Sequence, residues 1–120
     1  MILGIGIDIV SIKKIKKLID IYNERFLQRV YTKKERNVPL KSLAARFAVK
    51  EAFMKALSTG YNKGVKFKDI EVPGFNKNPE IVISKNIKAL FPDIGNVHVS
   101  ISHEDEYAVA FVIIEKKEEK

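Results

Sequence analysis

Cysteine is absent from all 120 residues, which excludes a disulfide framework and thiolate metal sites and fits a reducing compartment, with the cytoplasm as the default. Long hydrophobic runs are absent too. The opening apolar stretch is brief, has no basic leader and contains Asp8, so it reads as neither a signal peptide nor a spanning helix. Internal repeats are missing, and the one low-complexity stretch is the charged end "EKKEEK". A single domain over residues 1–115 with a fraying tail over 116–120 is therefore expected.

What is present is an ordinary globular composition, 46% hydrophobic and 31% charged, with a net charge of +7. Such a chain attracts polyanions: nucleic acid, acidic lipid, a phosphorylated small molecule or an acidic protein. The basic excess sits in the N-terminal half, where Lys13, Lys14, Lys16 and Lys17 cluster. Solvated helix faces are its plainest explanation.

Hydropathy patterning predicts an α+β fold, with helices from the first half packed on a mostly antiparallel sheet from the second. Residues 2–8 are short and β-branched, which predicts a strand, with Gly4 and Gly6 admitting the close approach of another backbone. Ser11 suits an N-cap for a helix over 12–21, where Ile12, Ile15, Leu18 and Ile19 recur at helical spacing. A short helix over 23–30 and a turn opened by the Thr32/Glu35 capping-box pair follow. Residues 40–57 form the longest helical segment, with Gly60 as its C-terminal cap. Beyond it "VKFKDIEV", "EIVIS", "VHVSISH" and "YAVAFVIIE" predict strands, and "NIKALF" a helical turn.

Two acids stand out. Glu51 lies mid-helix among Phe47, Ala44, Ala48, Ala52 and Met54, where a carboxylate is costly to desolvate unless a positive group meets it. An ion pair with Lys55 at i, i+4 spacing explains it locally. Asp8 ends an apolar strand, where a turn or capping role is the local explanation. Taken together, two carboxylates on rigid elements offer the one or two protein oxygens that Mg²⁺ takes while keeping water and substrate phosphates. Arg46, Lys50, Lys55 and His103 are then candidates for holding the remaining phosphate charge of a nucleotide-like cofactor.

"GIGIDIVSI", "RFLQRVYTKKE", "AARFAVKEAFMKALSTG", "VKFKDIEV" and "VSISHEDEYAVAFVIIE", five blocks in order over most of the chain, resemble the small bacterial phosphopantetheinyl transferases, the holo-acyl-carrier-protein synthases. The resemblance implies transfer of phosphopantetheine from coenzyme A to a serine of apo-acyl carrier protein, with release of adenosine bisphosphate. It makes Asp8 and Glu51 the Mg²⁺ ligands. The base for the serine proton is either metal-bound water or one of these carboxylates. Lys55 is expected to contact a phosphate or the attacking group, or to pair with Glu51. His103 is expected to donate to a phosphate or lie beside the adenine, and Gly60 to let backbone amides approach the cofactor, unless it only caps the helix. Lys14, Arg25 and Arg29, with Phe26 as an apolar anchor, match the family's docking surface for the acidic carrier. A homotrimer with the active site between subunits is implied as well.

Three departures touch the carrier side rather than the two acids: Ser11 stands where glutamate is frequent, Lys14 where arginine is, and the 35–43 segment is short. The rival class is a small basic nucleic-acid-binding domain, which requires aromatic and basic residues interleaved on a sheet face. A carrier of another kind, peptidyl or polyketide, is the second alternative.

Overall fold

The computed structural model describes residues 1–57, 64–74 and 80–118. Gly60 lies outside the described residues. The elements run β1 (Ile2–Ser11), α1 (Ile12–Tyr22), α2 (Glu24–Val30), α3 (Leu40–Ala56), β2 (Ile70–Glu71), β3 (Val82–Ile83), α4 (Lys85–Leu90), β4 (Ile94–His103) and β5 (Tyr107–Lys116). β1, β5 and β4 form an antiparallel sheet in that spatial order, and β2 pairs with β3 in a separate two-stranded ladder. The α+β architecture predicted from patterning is the one observed.

The sheet has one covered face and one bare one, because side chains alternate along each strand. Gly4, Gly6, Asp8 and Val10 of β1 share a face with Ala108, Ala110, Val112 and Ile114 of β5, and α3 lies against this side. A Cβ on Gly6 would stand 1.8 Å from the Ala52 carbonyl oxygen, and one on Gly4 1.8 Å from that of Ala56. Strand and helix therefore touch backbone to backbone, a contact that any side chain at Gly4 or Gly6 would abolish. Ala48, Ala52 and Ala56 are buried at that seam, while Leu43, Val49, Phe53 and Met54 are buried as well. α3 is thus covered from several directions.

Ser11 caps α1 as the sequence predicts, its hydroxyl accepting from the Lys14 amide at 3.3 Å. Ile12 and Ile15 are buried beneath the lysines. Asn23, at φ 50, turns the chain between α1 and α2, a conformation asparagine tolerates better than most residues. At the other end, Lys116 still belongs to β5, and the Lys117 amide donates to the Asp93 carbonyl at 2.6 Å.

The 65–72 segment departs from the predicted strand: Phe67–Asp69 is a 3₁₀ turn, and only Ile70–Glu71 pairs in β2. The Asp69 carboxylate accepts from the Lys66 amide, the Ser84 hydroxyl and the Asn86 side chain, at 2.8, 2.7 and 3.0 Å. Burial pushes this carboxyl up, but those donors outweigh it and hold the group below its ordinary value. Among the described residues no helix is long and apolar enough to cross a membrane.

Candidate active site

Asp8 shares the inward face of β1 with the two glycines, so it points toward α3, and its side chain is 15% exposed. Lys55 reaches it from α3: its Nζ donates to Asp8 Oδ1 and to the Ile7 carbonyl, each at 3.0 Å. Glu51 is partly buried one helical turn before Lys55, on the same flank of α3. The close β1–α3 contact thus brings Asp8, Lys55 and the turn carrying Glu51 to one seam, although the acids are 43 residues apart in sequence.

Among the described residues no group of three or more histidine, aspartate or glutamate side chains gathers. An all-protein metal cage is therefore not what this seam offers. Two carboxylates on rigid elements suit Mg²⁺, which retains waters and takes its further oxygens from a phosphorylated substrate. The donor set fits that ion.

Lys50 and Arg46, expected near phosphate, are placed elsewhere. Both are buried, Lys50 completely. The Lys50 ammonium uses its three donors on Glu35 Oε1 at 2.8 Å, the Phe67 carbonyl at 3.0 Å and the Ile70 carbonyl at 2.6 Å. Arg46 donates to the Val72 carbonyl at 2.8 Å, the Pro73 carbonyl at 3.2 Å and the Ser42 hydroxyl. These cations fasten the 67–73 segment onto α3 instead of facing solvent. Burial pushes the Lys50 ammonium below its ordinary value although Glu35 opposes the shift, and burial likewise lowers Arg46.

Glu35 is the residue that sequence patterning undervalues. Its Oε1 also accepts from the Thr32 amide at 2.8 Å, as the capping-box spacing predicts, but its Oε2 accepts from the Val72 amide at 2.9 Å. Only the first contact has a signal in the local sequence. Tyr31, also buried, donates to the Leu43 carbonyl at 2.7 Å beside this pair.

His103 ends β4 in register with Ala108, on the covered side of the sheet. β5 and two residues of register lie between it and Asp8, so His103 flanks the seam without joining it. On the helical side, Arg25, Phe26 and Arg29 line a groove of about 510 Å³ with Leu18, Tyr22 and Phe47 among its other walls. Lys14 stands apart on the first turn of α1, exposed. The bare face of the sheet carries Ile5, Ile7 and Ile9, 53%, 57% and 63% exposed, beside Phe111. No lysine or arginine interrupts these positions, so the basic and aromatic alternation required by the nucleic-acid alternative is not on this face.

Residues 4–112 match the sequence profile of the 4'-phosphopantetheinyl transferase superfamily. The holo-[acyl-carrier-protein] synthase of Halothermothrix orenii is 46% identical over 125 aligned positions, covering 97% of this chain and 99% of that protein. Among solved structures, the holo-[acyl-carrier-protein] synthase of Neisseria meningitidis superposes with a TM-score of 0.86 at 36% identity, covering 97% of this chain and all of that one. The Helicobacter pylori enzyme in complex with coenzyme A superposes at 0.83 and 38% identity, covering 92% and 98%.

Proposed function

Since the chain belongs to the 4'-phosphopantetheinyl transferase superfamily, among its holo-[acyl-carrier-protein] synthases, we propose that Asp8 and Glu51 are where it carries out that family's transfer with a bound Mg²⁺. Phosphopantetheine passes from coenzyme A to a serine hydroxyl of apo-acyl carrier protein, in the service of fatty acid synthesis in the cytoplasm. A new serine O–P bond forms, the diphosphate linkage of coenzyme A breaks, and adenosine 3',5'-bisphosphate leaves. The observation that carries this assignment is the seam itself, where a backbone-to-backbone contact fixes the strand bearing Asp8 against the helix bearing Glu51 and Lys55.

Each group has a distinct task. Asp8 and Glu51 would hold the divalent cation, which would supply neutralisation of the charge that develops on the departing phosphate. The serine proton passes to an oxygen of either carboxylate, directly or through water. Lys55 steadies a phosphate, and His103 contacts coenzyme A from the end of β4. Lys50 has no place among the phosphate-binding groups, because its three donors are spent on the protein, and Arg46, buried and turned to the Val72 and Pro73 carbonyls, is left out with it. Incubation with coenzyme A, Mg²⁺ and an apo-acyl carrier protein should add one phosphopantetheine mass to the carrier. No gain with any acidic carrier defeats the assignment.

Carrier docking falls to Arg25 and Arg29 around the apolar groove, with Phe26 as anchor and Lys14 at the rim, facing acidic carrier residues. Arg25→Ala with Arg29→Ala should raise the carrier KM about tenfold at low salt, in keeping with a few kcal/mol at most from rim charges. The difference from wild type should shrink as salt brings the Debye length below about 10 Å. A salt-independent difference in steady-state assays counts against charge-based docking.

The bare isoleucine face is assigned to the subunit contact of a homotrimer with the active site between protomers, because contiguous apolar surface of this kind is rarely left in water. Ile7→Glu should convert the sedimenting species to monomer and depress turnover with it. An unchanged sedimentation coefficient removes that face from the contact.

A further inference from the structure

Asp8 already has a cation. The Lys55 ammonium lies 3.0 Å from both Asp8 Oδ1 and the Ile7 carbonyl oxygen, a pair of oxygens of the type that also suits a hard metal ion. The two ends of this contact differ in freedom. Asp8 is 15% exposed on a strand locked to α3, whereas Lys55 is 55% exposed on a flexible four-carbon stem. When two cations compete for one carboxylate, the ammonium is therefore the one able to leave.

We propose that Lys55 is an internal stand-in for the divalent ion, neutralising Asp8 in the free enzyme, and that metal loading displaces its ammonium toward the phosphates of coenzyme A. The inference rests on the metal assignment made above and adds an order to it. An ammonium and a divalent ion on one oxygen repel each other, so the free enzyme binds metal weakly. Once coenzyme A supplies an alternative anion, the lysine has somewhere to go and the competition ends. Metal and coenzyme then strengthen each other's binding, by the same factor in either order. No bond is made or broken in this exchange.

Titration with Mn²⁺ alone, followed by electron paramagnetic resonance of the free ion, tests the exchange without turnover. Asp8→Asn should abolish specific Mn²⁺ binding. Lys55→Met should bind Mn²⁺ about tenfold more tightly than wild type, equivalent to about 1.4 kcal/mol. Lys55→Gln, which keeps a polar head without the charge, should do the same and stands in if the methionine variant folds poorly. Saturating coenzyme A should raise wild-type Mn²⁺ affinity by a larger factor than it raises that of Lys55→Met. Equal or weaker Mn²⁺ binding by both Lys55 variants, with Asp8→Asn still inactive in binding, overturns the exchange and leaves the metal site standing. Mn²⁺ binding by Asp8→Asn that equals wild type overturns the metal site itself.

Discussion

Asp8→Asn is expected to cut turnover by about three orders of magnitude or more at saturating coenzyme A, about 4 kcal/mol on the barrier, while the protein keeps its fold. Asparagine preserves the shape of the side chain but removes the anionic oxygen that the proposed function gives to a divalent cation, an interaction worth several kcal/mol. The fold is expected to persist, because an asparagine oxygen can still accept from the half-exposed Lys55 ammonium. Glu51→Gln should behave alike. The comparison needs the rate of mass gain on the carrier alongside a melting curve and far-ultraviolet circular dichroism. A variant that keeps a tenth of wild-type turnover places the metal, or the chemistry, somewhere else.

The second large effect falls on stability. Glu35 and Lys50 are both completely buried at 2.8 Å. Removing either partner leaves the other charge without compensation in a dry interior, which costs about 3–5 kcal/mol. Glu35→Gln is informative because Gln must present an NH₂ where the carboxylate now accepts from Thr32, Lys50 or Val72, setting donor against donor. For a chain of this size the melting temperature should fall by more than about 10 °C. Lys50→Met should fall similarly, and the double variant by clearly less than the two losses combined, since one removal relieves the other. Additive losses in denaturant unfolding exclude the pair as a coupled unit.

These same residues explain where patterning works and where it stops. β1, α1, β4 and β5 are legible because each has a period of burial that its own residues carry, down to the Ser11 cap, whereas α3, buried all round, is legible from its run of strong helix formers. The inward position of Asp8 follows from strand alternation, which puts it on the face of Gly4 and Gly6, the side that meets the backbone of α3. The 65–72 alternation misleads: Lys50 takes the Phe67 and Ile70 carbonyls, Arg46 the Val72 carbonyl and Glu35 the Val72 amide. With those groups satisfied from α3 and the 32–35 turn, little backbone is left for a longer ladder. Nothing in the local sequence distinguishes a lysine that meets a phosphate from one that meets three acceptors of its own chain. Arg46 and Lys50 sit on the same helix as Lys55, and only the three-dimensional packing separates their tasks.

The glycines of β1 carry one more implication. Where Gly4 and Gly6 rest on Ala56 and Ala52, no layer of side chains intervenes to be compressed or repacked, so strand and helix have no cushion on which to slide or hinge. The spacing of the two acids is consequently a property of the main chain, insensitive to breathing of the surrounding core. Whatever adaptation the enzyme makes as it takes in its two bulky substrates has to be made by freely rotating side chains or by surfaces remote from that joint.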